Sequence, residues 1–242
     1  MNFLTVGKAL KFYDVKPEQR VRLWFVLLVA IFAAGFLVPF ANSDFSGLLQ
    51  RLLQFAEGQG TLPQLESGHW NFIGMQVLAR FIGMIAGIDY LRHFLTANAS
   101  AGGRIPLQTW LRIIVFQVLA ALVYLISSPF FLIPYLIFIS AFFFVPPEML
   151  KFGGSIGKSM QQSYLLGRGM RLQIASSVVM LTAAFMLLDM WFTPLANNST
   201  YGVALIGGFL FAWEILSRAK LAGVWYELLV RKAQVEQPLK PK

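Results

Sequence analysis

Cysteine is absent from this chain, so it holds neither a disulfide framework nor a thiolate metal site. Histidine is nearly absent: only His69 and His93 stand beside the carboxylates, and neither a zinc centre nor any other metal or cofactor is expected. Charge is also scarce, at 13% of residues, where a soluble domain carries about a quarter. Hydrophobic residues make up 57% of the 242 positions, and the mean hydropathy is +0.64. The polypeptide is built for lipid. Its 11 acidic residues do not offset 20 basic ones, and the net charge of +9 is read as basic membrane loops rather than a nucleic-acid surface.

A helix needs about 20 apolar residues to cross the hydrocarbon core, and the sequence offers six such runs, near 23–41, 71–91, 107–126, 129–147, 172–192 and 202–222. The fold class is therefore an all-α integral membrane protein, expected as a single membrane domain over 1–242. Basic residues continue to Arg22 before the first apolar run, so that run is expected to be retained rather than cleaved as a signal. No charged residue occurs from Ile113 to Pro147. Pro129 and Pro134, lacking the N–H a helix interior uses, divide this stretch into a tight hairpin or a kinked, re-entrant pair. Pro146 and Pro147 are expected to break the fourth span at the membrane face.

Eighteen of the 20 basic residues fall in loops on one side of such a layout; Arg51 lies opposite and Arg80 within a span. Basic loops stay in the cytoplasm, so both termini are expected there, in a bacterial inner membrane. Two amphipathic helices are expected outside the spans. The outer one, near 44–56, carries Phe45, Leu48, Leu49, Leu52, Leu53 and Phe55. It lies along the interface or docks to a partner protein. The cytoplasmic one, near 155–166, is capped by Ser155 and places Ile156, Met160 and Tyr164 on one face. Lys151, Lys158, Arg168 and Arg171 around it form a surface for anionic headgroups, or merely a connector lying flat.

The stretch "KFGGSIGKSMQQ" (151–162) superficially spells a phosphate-binding loop. Phe152 stands where the first glycine is needed, and a fourth span precedes it instead of a soluble strand, so nucleotide binding is not expected. Ser155 and Lys158 spell a serine-lysine dyad, but a solvated lysine stays protonated and is no base. His69 and His93 fall at opposite membrane faces and cannot share a site. Catalysis is not expected.

Charged residues inside spans are costly. Arg80 near the middle of the second span and Glu214 in the sixth are expected to pair, either as a pin between helices or as the wall of a polar pathway. Arg218 competes for that carboxylate as an i, i+4 partner. Asp89 and Asp189 lie nearer the ends of their spans. Gly74, Gly207, Gly208 and the Gly83-xxx-Gly87 spacing permit close helix contact, expected within the chain.

The segment "FFFVPPEMLKFGGSIGKSMQQSYLLGRGMRLQIASSVVML" resembles one shared by bacterial six-span proteins related to the glycerophosphodiester phosphodiesterase membrane domain. The residues that carry the resemblance are Pro146 or Pro147, Glu148, Ser155, Ser159, Ser163, Arg168 and Gly169. It implies an accessory membrane module without the soluble phosphodiesterase domain. The expected function is a non-enzymatic scaffold or accessory subunit that contacts lipid and another membrane protein. The alternative is a component that moves lipid or a small amphiphile, working with a separate ATPase.

Overall fold

The computed structural model describes residues 2–15, 18–40, 45–58, 61, 64–97, 106–196 and 199–236. Its elements are α1 (Asn2–Leu10), α2 (Glu18–Phe40), α3 (Phe45–Ala56), α4 (Ser67–Ala97), α5 (Leu107–Ser127), α6 (Ile133–Phe142), α7 (Val145–Phe152), α8 (Ile156–Leu166), α9 (Arg171–Phe192) and α10 (Thr200–Glu236). Short 3-10 turns sit at Phe12–Asp14, Ser128–Phe130 and Thr193–Ala196. No strand occurs among the described residues. Among those residues, six segments are long and apolar enough to cross a membrane: Glu18–Leu37, Ser67–Thr96, Leu107–Phe130, Ile133–Phe152, Arg171–Ala196 and Thr200–Val230. The protein is an all-α membrane protein.

The helices outrun the apolar windows that announce them. α4 begins at Ser67 and ends at Ala97, and α10 runs to Glu236, past Arg218 and Lys220. A helix ends where its backbone finds other partners, not where hydrophobicity stops. The first helix, α1, has no counterpart among the expected elements. It buries Thr5, Val6 and Ala9 and leaves Phe3 and Leu4 exposed.

The proline-rich stretch forms a hairpin. Ser128 and Pro129 lie in a 3-10 turn, Phe131 and Leu132 take left-handed backbone angles, and Pro134 enters the first turn of α6. Both prolines occupy positions whose N–H groups would have no helical partner anyway. The Leu132 N–H donates to the Ser127 carbonyl at 3.0 Å, closing the turn.

The end of this span is packed inside the protein. The helix is interrupted after Phe142, as Pro146 and Pro147 lead one to expect, but every residue from Phe143 to Met149 is buried and the chain continues as α7. The two prolines sit in the first turn of α7, where they are compatible with helix. Val145 and Met149 join Ile88, Ile113 and Phe116 in an apolar core, against which Phe138, Phe142, Ile156 and Met160 pack. Apolar contact on both sides of the break keeps it inside.

The chain forms two compact units. The first comprises Met1–Trp24, Met84–Leu187 and Trp213–Lys242; the second comprises Phe25–Gly83 and Leu188–Ala212. In the second, Gly208 lets α10 approach α2 so closely that an added Cβ would stand 2.8 Å from the Val29 carbonyl oxygen. In the first, Gly87 lies in ordinary contact with Ile215 and Ala219, so at this position the small residue serves packing within the chain.

Candidate functional site

Three polar constellations and one cleft lie within the first unit. The tightest surrounds Asp89, whose side chain is only 4% exposed. Arg20 of α2 donates to it twice, at 2.9 and 3.2 Å, and the Trp24 indole donates at 2.8 Å. Arg20 and Trp24 are one helical turn apart and share a face, so α2 presents both donors together. His93 adds a contact 3.7 Å from the carboxylate and approaches the Asp89 carbonyl at 2.7 Å. A buried carboxylate is tolerated when its charge and lone pairs are matched in this way.

A second constellation holds the chain after α1. The Trp213 indole donates to the Leu10 carbonyl at 3.0 Å, the Lys220 ammonium donates to the Lys11 carbonyl, and the Tyr90 hydroxyl donates to the Phe12 carbonyl at 2.6 Å. The Leu10 carbonyl ends α1, where a helix leaves backbone acceptors without partners, and a cation nearby meets the negative end of the helix dipole. α4 and α10 thereby grip the N-terminal segment through three consecutive backbone groups.

The third constellation lies around the break between α6 and α7. Ser163 of α8 accepts from the Phe144 N–H at 3.1 Å and donates to the Ala141 carbonyl at 3.2 Å, supplying partners that the interrupted helix lost. Glu148, one turn further along, is buried, accepts from the Tyr226 hydroxyl at 3.0 Å, and leaves its second oxygen without a partner in the structure. Arg112 donates to the Gly154 carbonyl at 3.3 Å beyond the end of α7.

The "GGSIGKS" stretch is a joint between two helices. Gly153 takes a left-handed φ of 65° as the C-cap of α7, and Ser155 caps α8 by accepting from the Lys158 N–H at 3.4 Å. Gly153 and Ser155 serve here as the caps of the two helices. The expected apolar face of α8 is also revised: Ser159 and Ser163 are buried with Ile156 and Met160 beside them, while Tyr164 is 46% exposed. Hydrogen bonding to the broken span outweighs the apolar periodicity.

The cleft opens where α8 turns into α9. Tyr164, Leu165, Arg168, Gly169, Arg171 and Leu172 line about 570 Å³. The Arg171 guanidinium lies 3.7 Å over the Tyr164 ring, and donates to the Tyr164 carbonyl at 3.3 Å. A hydrogen bond from Arg171, with its charge, holds the Tyr164 phenol below the usual tyrosine range. Of the four basic residues expected to form one surface, this cleft gathers Arg168 and Arg171. Lys151 instead faces the rings of Phe152 and Tyr226, at 5.4 and 5.5 Å, and Lys158 is exposed on α8.

Other expected residues find different partners. Glu214 accepts from Arg218 at 2.5 Å, the i, i+4 competitor, and Arg218 also donates to Thr182 at 3.2 Å. Arg80 is an exposed side chain of the second unit, while Glu214 belongs to the first. Asp189 accepts from Thr193 at 3.0 Å on an exposed face. His69 is buried and accepts from the Glu66 N–H at 3.1 Å at the start of α4. No group of three or more potential metal ligands occurs among the described residues. Lys16, Arg104, Lys240 and Lys242, counted for orientation, lie outside the described residues.

Sequence reasoning missed Arg20, Trp24, Tyr90, Trp213, Lys220 and Tyr226. Arg20 is legible only as a loop charge, although its one-turn spacing from Trp24 before an apolar run is a signal for a donor pair. The carbonyls that Tyr90, Trp213 and Lys220 reach carry no sequence signature at all, and Tyr226 meets the Glu148 carboxylate only through the fold.

Fold and geometry thus define a six-span helical membrane protein whose polar side chains knit helices to one another and to the N-terminal segment. No family model, curated protein or solved structure matches the chain.

Proposed function

We propose that the protein is a non-enzymatic scaffold or accessory subunit of a larger assembly in a bacterial cytoplasmic membrane, with both termini on the cytoplasmic side. The observation that carries this reading is how the buried polar groups of the first unit are used. Asp89 is matched by Arg20 and Trp24, and Lys220, Trp213 and Tyr90 each hold a backbone carbonyl. Groups spent on fixing helices are poor candidates for turnover. The outer helix α3 supplies a surface for association: Leu52, Leu53 and Phe55 are 42, 56 and 42% exposed. The resemblance to membrane modules related to the glycerophosphodiester phosphodiesterase membrane domain is part of the same proposal.

Purification of the tagged protein in mild detergent, with co-purifying proteins and lipids identified by mass spectrometry, tests the assignment. A stoichiometric protein partner is expected. A lone protein that retains one lipid class would overturn it in favour of a lipid-handling component. One observation favours that second reading: the Glu214–Arg218 pair lies within a span yet is 29 and 40% exposed, leaving it open to a polar group. Orientation is read separately, by the single substitutions Lys8→Cys and Phe55→Cys in the cysteine-free chain. Labelling of the first only from the cytoplasm, and of the second only from outside, is expected.

A further inference from the structure

We propose that the cleft between α8 and α9 binds the phosphate group of an anionic membrane lipid. Two arginines line it and no carboxylate does. A guanidinium offers several N–H donors in a planar fork that matches phosphate oxygens. Arg171 is already oriented by the Tyr164 ring and carbonyl. Arg168 is exposed beside it, and no ion pair engages it among the described residues. A phosphate seated between them would meet the exposed Arg168 guanidinium and the part of the Arg171 guanidinium that lines the cleft. The N–H groups opening the 22-residue helix α9 favour an anion at the same end.

The rim identifies the source of the phosphate. Leu165 and Leu172 also line the cleft and are 57 and 84% exposed, and a membrane-spanning segment begins at Arg171. A soluble anion would leave these leucines in water, whereas a lipid places its headgroup on the arginines and its chains against the leucines. The volume of about 570 Å³ holds a headgroup rather than a single ion. This inference stands independently of the accessory-subunit reading, since either a scaffold or a transporter could carry the site.

The test is titration of the full-length protein, purified in neutral detergent, with short-chain phosphatidylglycerol, phosphatidylcholine and inorganic phosphate in separate arms. Phosphatidylglycerol is expected to bind more tightly than phosphatidylcholine. Arg168→Gln and Arg171→Gln should each weaken phosphatidylglycerol about fivefold, the worth of one basic residue near a lipid surface, while Arg171→Lys, which keeps the charge but loses the planar fork and the stacking on Tyr164, restores only part of the affinity. Lys158→Gln, outside the cleft, should change it less than about twofold on the same scale. Arg168 is exposed, so its substitution tests the site without endangering the fold. Equal affinity for the two lipids, an unaltered Arg168→Gln, or an equal loss with Lys158→Gln would each overturn the proposal. Inorganic phosphate binding as tightly as the lipid would overturn it too, showing a site for the free ion instead.

Discussion

The two units of the chain are assembled by different forces. In the first, contacts between distant segments are repeatedly directional: Arg20 and Trp24 on Asp89, Tyr90 on Phe12, Trp213 on Leu10, and Ser163 across a broken helix. In the second they are steric. Phe25 meets Phe209, Phe32 stacks on Phe211, Phe36 meets Phe72, and Gly35 and Gly208 admit neighbouring backbone. A hydrocarbon environment provides little hydrophobic force between helices, leaving close packing and hydrogen bonding to hold them. The comparison shows both solutions used by the same long helices. Polar fixation accompanies the unit that contains the N-terminal segment and the interrupted span, where backbone groups need partners.

That contrast is open to experiment. The largest effect is expected from Asp89→Ala, which strands the Arg20 guanidinium and the Trp24 N–H and should lower the unfolding free energy by about 3 kcal/mol. Reversible unfolding in mixed micelles measures it, and a loss too small to resolve would show that the ion pair does not hold the unit. Gly208→Ala comes next, at about 2 kcal/mol, because its Cβ would strike backbone. Gly74→Ala is its control: an added Cβ there meets nothing within 4 Å, so the two variants should differ clearly in the same assay. If both behave alike, close approach is not what assembles the second unit.

Ser163→Ala should cost about 1.5 kcal/mol by leaving the buried Phe144 N–H unmatched. Amide hydrogen exchange around Phe144 should accelerate in that variant, a local signature that overall loosening would not produce. The smallest effect belongs to Ser155→Ala, about 0.5 kcal/mol, the low end for a lost N-cap, given the long 3.4 Å bond. Fraying confined to the start of α8 is the expected readout; a larger, global loss would assign Ser155 a role beyond capping.

Spans and sites differ in how legible they are in the sequence. The spans are readable because apolar runs of sufficient length have one stable arrangement in lipid, a helix with its backbone bonds satisfied internally. Pro129 and Pro134 mark a turn for the same reason. Ser155 announces a cap through its position before an apolar period. The candidate site is harder to read: proximity along the chain groups Arg168 and Arg171 with Lys151 and Lys158, whereas the fold gathers only the arginines into the cleft. A doubled proline usually ends a span, so the sequence puts Glu148 at a surface. Its burial depends on the neighbouring helices, Tyr226 of α10 among their residues, and no local pattern contains that fact.

Membership of the membrane class, the number of apolar segments long enough to cross and the approximate position of both amphipathic helices were determined by the sequence alone, through the length and period of its apolar residues. Which charge meets which was decided only by tertiary structure. Arg20 reaches Asp89 across 69 positions and Lys220 reaches Lys11 across 209, and such separations leave no periodic trace. Hydrophobicity is a property summed along a segment, whereas a hydrogen bond requires two groups to arrive at one place.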